Sequence, residues 1–128
     1  MTKLTPTIEE MEALRASVPS GPIVVLNLLK FKPDGGREAY ARYVQETFHT
    51  LPAGTRIVYS GKAGPLLADG EDWDVMFLLE WPSFDMLAGS LANPEYQSGA
   101  ANLRHLALER TQLMVTYPAE MAELFNLK

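Results

Sequence analysis

Ile23-Val-Val-Leu-Asn-Leu-Leu-Lys-Phe31 is apolar on both sides when written as an extended chain. Side chains alternate along a strand, so Ile23, Val25, Asn27, Leu29 and Phe31 share one face. Val24, Leu26, Leu28 and Lys30 share the other. A strand that is apolar on both faces belongs in the middle of a sheet covered twice. Pro19-Ser-Gly-Pro22 before it and Pro33-Asp-Gly-Gly36 after it mark its limits.

Upstream, Thr7-Ile-Glu-Glu10 fits a capping box, and Ile8, Met11, Leu14 and Val18 follow at helical spacing. Downstream, Tyr40, Tyr43, Val44, Phe48 and Leu51 predict an amphipathic helix over 37–51, closed by Pro52-Ala-Gly54. Thr55 to Leu67 reads as a strand bent at Gly61 and Gly64-Pro65. Residues 68–72 form a polar turn. Trp73 to Trp81 is the next strand, with Trp73, Val75, Phe77, Leu79 and Trp81 on one face. Asp74, Met76, Leu78 and Glu80 lie on the other.

Pro82-Ser83 opens a helix aligning Phe84, Leu87, Ala88 and Leu91. Asn93-Pro94 interrupts it, Asn93 capping a second segment that runs to about Arg110 and buries Leu103, Leu106 and Ala107. Thr111 to Tyr117 is the last strand, and Pro118 starts a C-terminal helix through Met121, Leu124 and Phe125.

The order is β-α-β-β-α-β, the α+β ferredoxin-like pattern: an antiparallel sheet with two helices on one face. Right-handed crossovers put the first and third strands at the centre. The reading is a single domain over 1–128, with a leading helix in 1–20, a ferredoxin-like core in 21–117 and a C-terminal helix in 118–128. The helices cover one sheet face only. The apolar second face predicts a homodimer, the commonest oligomer.

Composition mostly excludes. The 128 residues hold no cysteine and two histidines, at net charge −5. Disulfides, thiolate nucleophiles and thiolate metal sites are absent, and His49 and His105 cannot build a three-histidine site in one chain. The acidic balance argues against nucleic-acid binding. It is uneven: residues 1–64 carry 8 basic and 6 acidic side chains, residues 65–128 carry 3 and 10. No apolar run is long enough to span a bilayer, and the first residues have no apolar h-region. A cytoplasmic protein with no membrane partner is expected.

Three segments resemble the DUF1330 family in their order: VVLNLLKFKP (24–33), Trp73-Asp74 leading into VMFLLEWPS (75–83), and NPEY (93–96) followed by Leu103-Arg104. The resemblance covers roughly residues 20–117. It implies membership of the dimeric α/β-barrel superfamily, in which two ferredoxin-like sheets pack face to face. In that superfamily the cleft between sheet and helices often holds a small molecule. Its members include cofactor-independent monooxygenases, lactone isomerases and haem enzymes. The family brings no specific activity with it.

The candidate site residues follow from polar groups planted on apolar faces. Asn27 is the one amide within the first strand, and a buried amide needs partners that a ligand carbonyl, neighbouring backbone or a partner chain could supply. Asp74 and Glu80 share a strand face with Met76 and Leu78, where a raised pKa would suit a general acid or base. They lie about 20 Å apart along a strand and cannot act as a pair. The plainer reading puts each near a strand end, solvated or pairing with Lys30 or Arg56. Tyr59 and Trp73 are candidate ligand contacts; the resemblance adds Tyr96 and Arg104, which match the family's helix motif, and Arg104 suits a ligand carboxylate or, equally, an acidic neighbour. Tyr40, Tyr43 and the other aromatics equally suit the core.

Tyr96 and Arg104, eight residues apart, are about 80° out of line on a helix, so a joint site needs a kink near Ser98-Gly99. His105 is expected to face outward and pair with Glu109, and His49 to meet helix-terminal carbonyls. No phosphate loop, Gly-x-Gly-x-x-Gly or Gly-x-Ser-x-Gly occurs. Neither histidine is well placed for haem, so no metal or nucleotide cofactor is expected. The functional expectation is a small-molecule-binding homodimer, either a cofactor-independent isomerase or monooxygenase or a non-catalytic binding module.

Overall fold

In the computed structural model, which describes residues 3–127, strand β1 (Ile23–Phe31) runs through the interior of the sheet. The other strands are β2 (Arg56–Lys62), β3 (Val75–Trp81) and β4 (Leu108–Thr116). The order is β2-β3-β1-β4 and every pairing is antiparallel. Helices α1 (Ile8–Leu14), α2 (Gly36–Thr47), α3 (Phe84–Ala92), α4 (Ala101–Ala107) and α5 (Met121–Phe125) complete the chain. A π-helical turn, Tyr96–Ala100, joins α3 to α4. The α+β ferredoxin-like arrangement expected from the sequence is the one found.

Register separates two unlike faces. Asn27 stands opposite Phe77 on β3 and Leu113 on β4. That alignment gathers Ile23, Val25, Asn27 and Leu29 with Phe77, Leu79 and Trp81 under the helices, all buried. Leu26 and Leu28 align with Leu78 and Met76 on the other face, and these four remain only half-buried. Lys30, Arg110 and Asp72 close one end of that face with ion pairs.

Local signals worked at several ends. Thr7 and Glu10 form the capping box of α1, and the Asn93 side chain accepts from the Glu95 backbone N–H at 2.9 Å. His49 Nδ1 sits 3.0 Å from the Gln45 carbonyl at the end of α2. The bend expected at Gly61 falls earlier, as a register shift between Ile57 and Tyr59.

The segment after Tyr96 differs most from expectation. Helix α4 stops at Ala107, and Leu108, Glu109 and Arg110 already belong to β4. No Gly or Pro marks that boundary; pairing with β1, Leu108 against Phe31 and Arg110 against Lys30, overrides local helix preference. The buried stripe is Ala100, Leu103, Arg104 and Ala107, spaced i, i+3, i+4, i+7. Leu106, expected inside, is 62% exposed. His105 and Glu109 do not pair, because Glu109 has left the helix and lies 3.7 Å from Arg110 instead. The C-terminal helix is short, and its Met121, Leu124 and Phe125 stay exposed.

Candidate functional site

Between the covered sheet face and the helices lies a cavity of about 370 Å³. Its floor is Val25, Asn27, Phe77, Leu79 and Trp81; the N-terminal stretch Lys3 to Pro6 forms part of the wall. Helix α2 supplies Tyr40 and Tyr43, α4 supplies Arg104, and the π turn supplies Tyr96.

The π turn explains how Tyr96 and Arg104 meet. Eight α-helical residues would leave them about 80° apart, while one extra residue in the turn rotates the chain back by about 100°. Both then line the same cavity. The Tyr96 and Tyr43 hydroxyls are 3.0 Å apart, with their rings edge to face at 6.1 Å between centroids. A second cavity of about 260 Å³ lies beyond this pair and includes Glu46 and Glu95 in its lining. The two tyrosines border both spaces.

Arg104 is 3% exposed. Its Nη2 donates to the Leu4 carbonyl at 3.1 Å and its Nη1 to the Tyr40 hydroxyl at 3.4 Å. The guanidinium carbon lies 5.5 Å from the Tyr43 ring centroid and 6.0 Å from that of Tyr40. Among the described residues no carboxylate pairs with it. Arg104 Nε and Thr5 Oγ1 are both buried without a hydrogen-bond partner. Burial opposes the Arg104 charge, but the surrounding phenols outweigh it and raise the pKa. Burial also pushes the Tyr40 and Tyr96 phenols well above their usual range. Asn27 donates through Nδ2 to the Val25 carbonyl of its own strand at 3.1 Å.

The structure therefore brings together Asn27, Tyr96 and Arg104 and leaves four other candidates outside the cleft. Tyr59 is 55% exposed on the opposite face, where the register shift places it against Leu78. Trp73 precedes β3 and packs under Arg110, 4.8 Å from ring centroid to guanidinium carbon. Asp74 accepts from the Phe31 backbone N–H at 2.8 Å and lies 3.6 Å from Lys30. Glu80 pairs with Arg56 at 3.0 Å across β2 and β3. A cleft using Tyr59 and Trp73 for contact and Asp74 or Glu80 for proton transfer is thus not what forms. The strand-face reading grouped these carboxylates correctly, but that face is the one turned away from the helices. Leu4 and Thr5 carried no sequence signal; Tyr40 and Tyr43 carried one, their i, i+3 spacing, which also fits ordinary core.

Among the described residues no three metal-ligating side chains converge, and no helix is long and apolar enough to cross a membrane. No protein-family model and no curated protein matches the chain. Solved structures do. The RPA0582 protein of Rhodopseudomonas palustris, a protein of unknown function, is 30% identical with a TM-score of 0.78, over 94% of this chain and 99% of that one. Its methylated form gives a TM-score of 0.80 at the same identity, over 94% and 97%. A DABB family protein with a ferredoxin-like fold from Mesorhizobium loti is 11% identical at a TM-score of 0.56, covering 78% of this chain and 99% of that one. An uncharacterised NIPSNAP-like domain protein from Burkholderia xenovorans is 20% identical at 0.51, covering 79% and 88%.

Proposed function

This chain belongs to the family of the RPA0582 protein, and from the cleft and the open sheet face we propose that it is a small-molecule-binding homodimer whose ligand enters the cleft under the helices. We take that family to be DUF1330-like, on the resemblance of segments 24–33, 73–83 and 93–96 with Leu103-Arg104. One observation carries the ligand site: a mostly apolar cavity of about 370 Å³ on which Asn27, Tyr40, Tyr43, Tyr96 and Arg104 converge. Concave apolar sites with a few convergent polar groups are where small molecules bind.

Binding is favoured over turnover by what the cleft contains. Its titratable groups are Lys3, three tyrosines and Arg104, with no carboxylate or imidazole among the described lining residues. Isomerase or monooxygenase chemistry there would fall to a phenol, and Asp74 or Glu80 could serve only a site on the opposite face. Dimerisation is supported by that face: Leu26, Leu28, Met76 and Leu78 are half-buried, Met114 is exposed, and all five are apolar. Replacing Leu26 with Lys should give a monomer by light scattering; a wild type that is already monomeric would refute the dimer.

A neutral aromatic probe tests the cleft itself. Indole titrated into labelled protein should shift the amides of Phe77, Leu79 and Trp81, and Asn27→Leu should weaken its binding with little change in melting temperature. Shifts confined to the open sheet face, or none, would refute the site.

A further inference from the structure

Arg104 is a buried cation whose hydrogen-bond partners are both neutral, a backbone carbonyl and a phenol. Placing an ionised group in an apolar interior is costly unless an opposite charge meets it. Among the described residues no Asp or Glu side chain matches it, and one of its donors is idle, as is the buried hydroxyl of Thr5, which lines the same cavity. On the reading of the cleft as a ligand site, we propose that the ligand is a small monocarboxylic acid with an apolar body, whose carboxylate takes the place of the Leu4 carbonyl on Arg104.

The geometry selects this class over others. A guanidinium presents a planar fork that fits a carboxylate with two parallel hydrogen bonds. The cavity offers one unengaged positive charge, since Lys3 at its edge is paired with Glu10. One charge suits a monoanion better than a phosphate dianion. Phe48, Phe77, Leu79, Trp81 and Leu87 face the rest of the ligand with apolar surface. The volume is at the low end of small-molecule sites, which points to a single ring or a short chain. Leu4 itself is buried, so its carbonyl is a neutral stand-in that holds the guanidinium until the acid arrives. Binding exchanges that contact for a charged one, and Lys3 to Pro6 must shift to admit it.

The test uses wild-type protein and a panel of single-ring and short-chain monocarboxylates, each paired with its primary amide. Phenylacetate with phenylacetamide is the reference pair, and phenyl phosphate is the third arm. Calorimetry should give each fitting acid an affinity about ten- to a hundredfold above its amide, the range for a hydrogen-bonded charge. The Arg104 Nε–H resonance should move with the acid. Arg104→Met should reduce the acid-to-amide ratio to near one, and Arg104→Lys should keep part of it. Should Arg104→Met fail to fold, the wild-type ratio decides alone.

Amides that bind as tightly as their acids, with indole still shifting the cavity amides, would overturn acid selection and leave the cleft standing. A tighter phenyl phosphate would overturn the choice of carboxylate. If neither acids, amides nor indole bind, both readings fall together.

Discussion

Tyr43 and Tyr96 meet hydroxyl to hydroxyl at 3.0 Å, linking α2 to the π turn and standing between the two cavities. A buried hydroxyl pair contributes about 1 kcal/mol net, and removing one partner strands the other. Tyr43→Phe and Tyr96→Phe should therefore each cost about 1 kcal/mol in chemical denaturation. The double variant should cost less than the sum, because the second change removes a hydroxyl already without its partner. Deleting Gly99 should spare the pairing: with the extra residue gone the turn reverts to α-helix, and seven steps leave Tyr96 and Arg104 about 20° apart on one face. A double-mutant cycle that shows simple additivity would mean the two hydroxyls are served separately.

Gly36 opens α2 where it comes closest to the end of α4. A Cβ there would lie 2.5 Å from the Ala107 carbonyl oxygen, which already accepts the Lys32 backbone N–H at 2.8 Å. Backbone on both sides cannot yield cheaply, so Gly36→Ala should destabilise by about 2 kcal/mol. Gly89 within α3 is the opposite case, with nothing within 4 Å of its added Cβ. Gly89→Ala should stabilise by up to about 1 kcal/mol through helix preference. Melting temperatures that move in the same direction for both would contradict this account of the α2–α4 contact.

Legibility in the sequence tracked the range of the forces involved. β1 was readable because alternation and bounding Pro and Gly are local, and its two apolar faces already implied a central place. The Asn93 cap and the capping box at Thr7 are equally local. The helix-to-strand change at Leu108 was not readable, because it is set by pairing with β1 across some eighty residues and no breaker marks it. Leu106 is expected inside on its apolar character alone, whereas the structure buries Arg104 and exposes Leu106. Asp74 and Glu80 were rightly paired with Lys30 and Arg56 in the plainer reading, but which sheet face lay under the helices needed the three-dimensional register. The contribution of Leu4 and Thr5 joins positions about a hundred residues apart, beyond any spacing rule.

Tyr40 and Tyr96 give the cleft a signature at high pH. Burial raises both phenols above the ordinary value of 10.0, so the folded chain keeps them neutral where the unfolded chain ionises them. A raised folded-state pKa leaves stability flat below about pH 10 and erodes it as pH climbs further, since only the unfolded state then releases the protons. The urea midpoint should accordingly fall above about pH 10. In a titration followed by phenolate absorbance, these two of the five tyrosines should ionise only as the fold is lost. The variant carrying Tyr40→Phe and Tyr96→Phe should show a smaller alkaline decline, although its stability at neutral pH is lower for want of the two hydroxyl contacts. Complete phenolate formation near pH 10 with the native fold intact would mean that water reaches both hydroxyls and that burial does not hold them neutral.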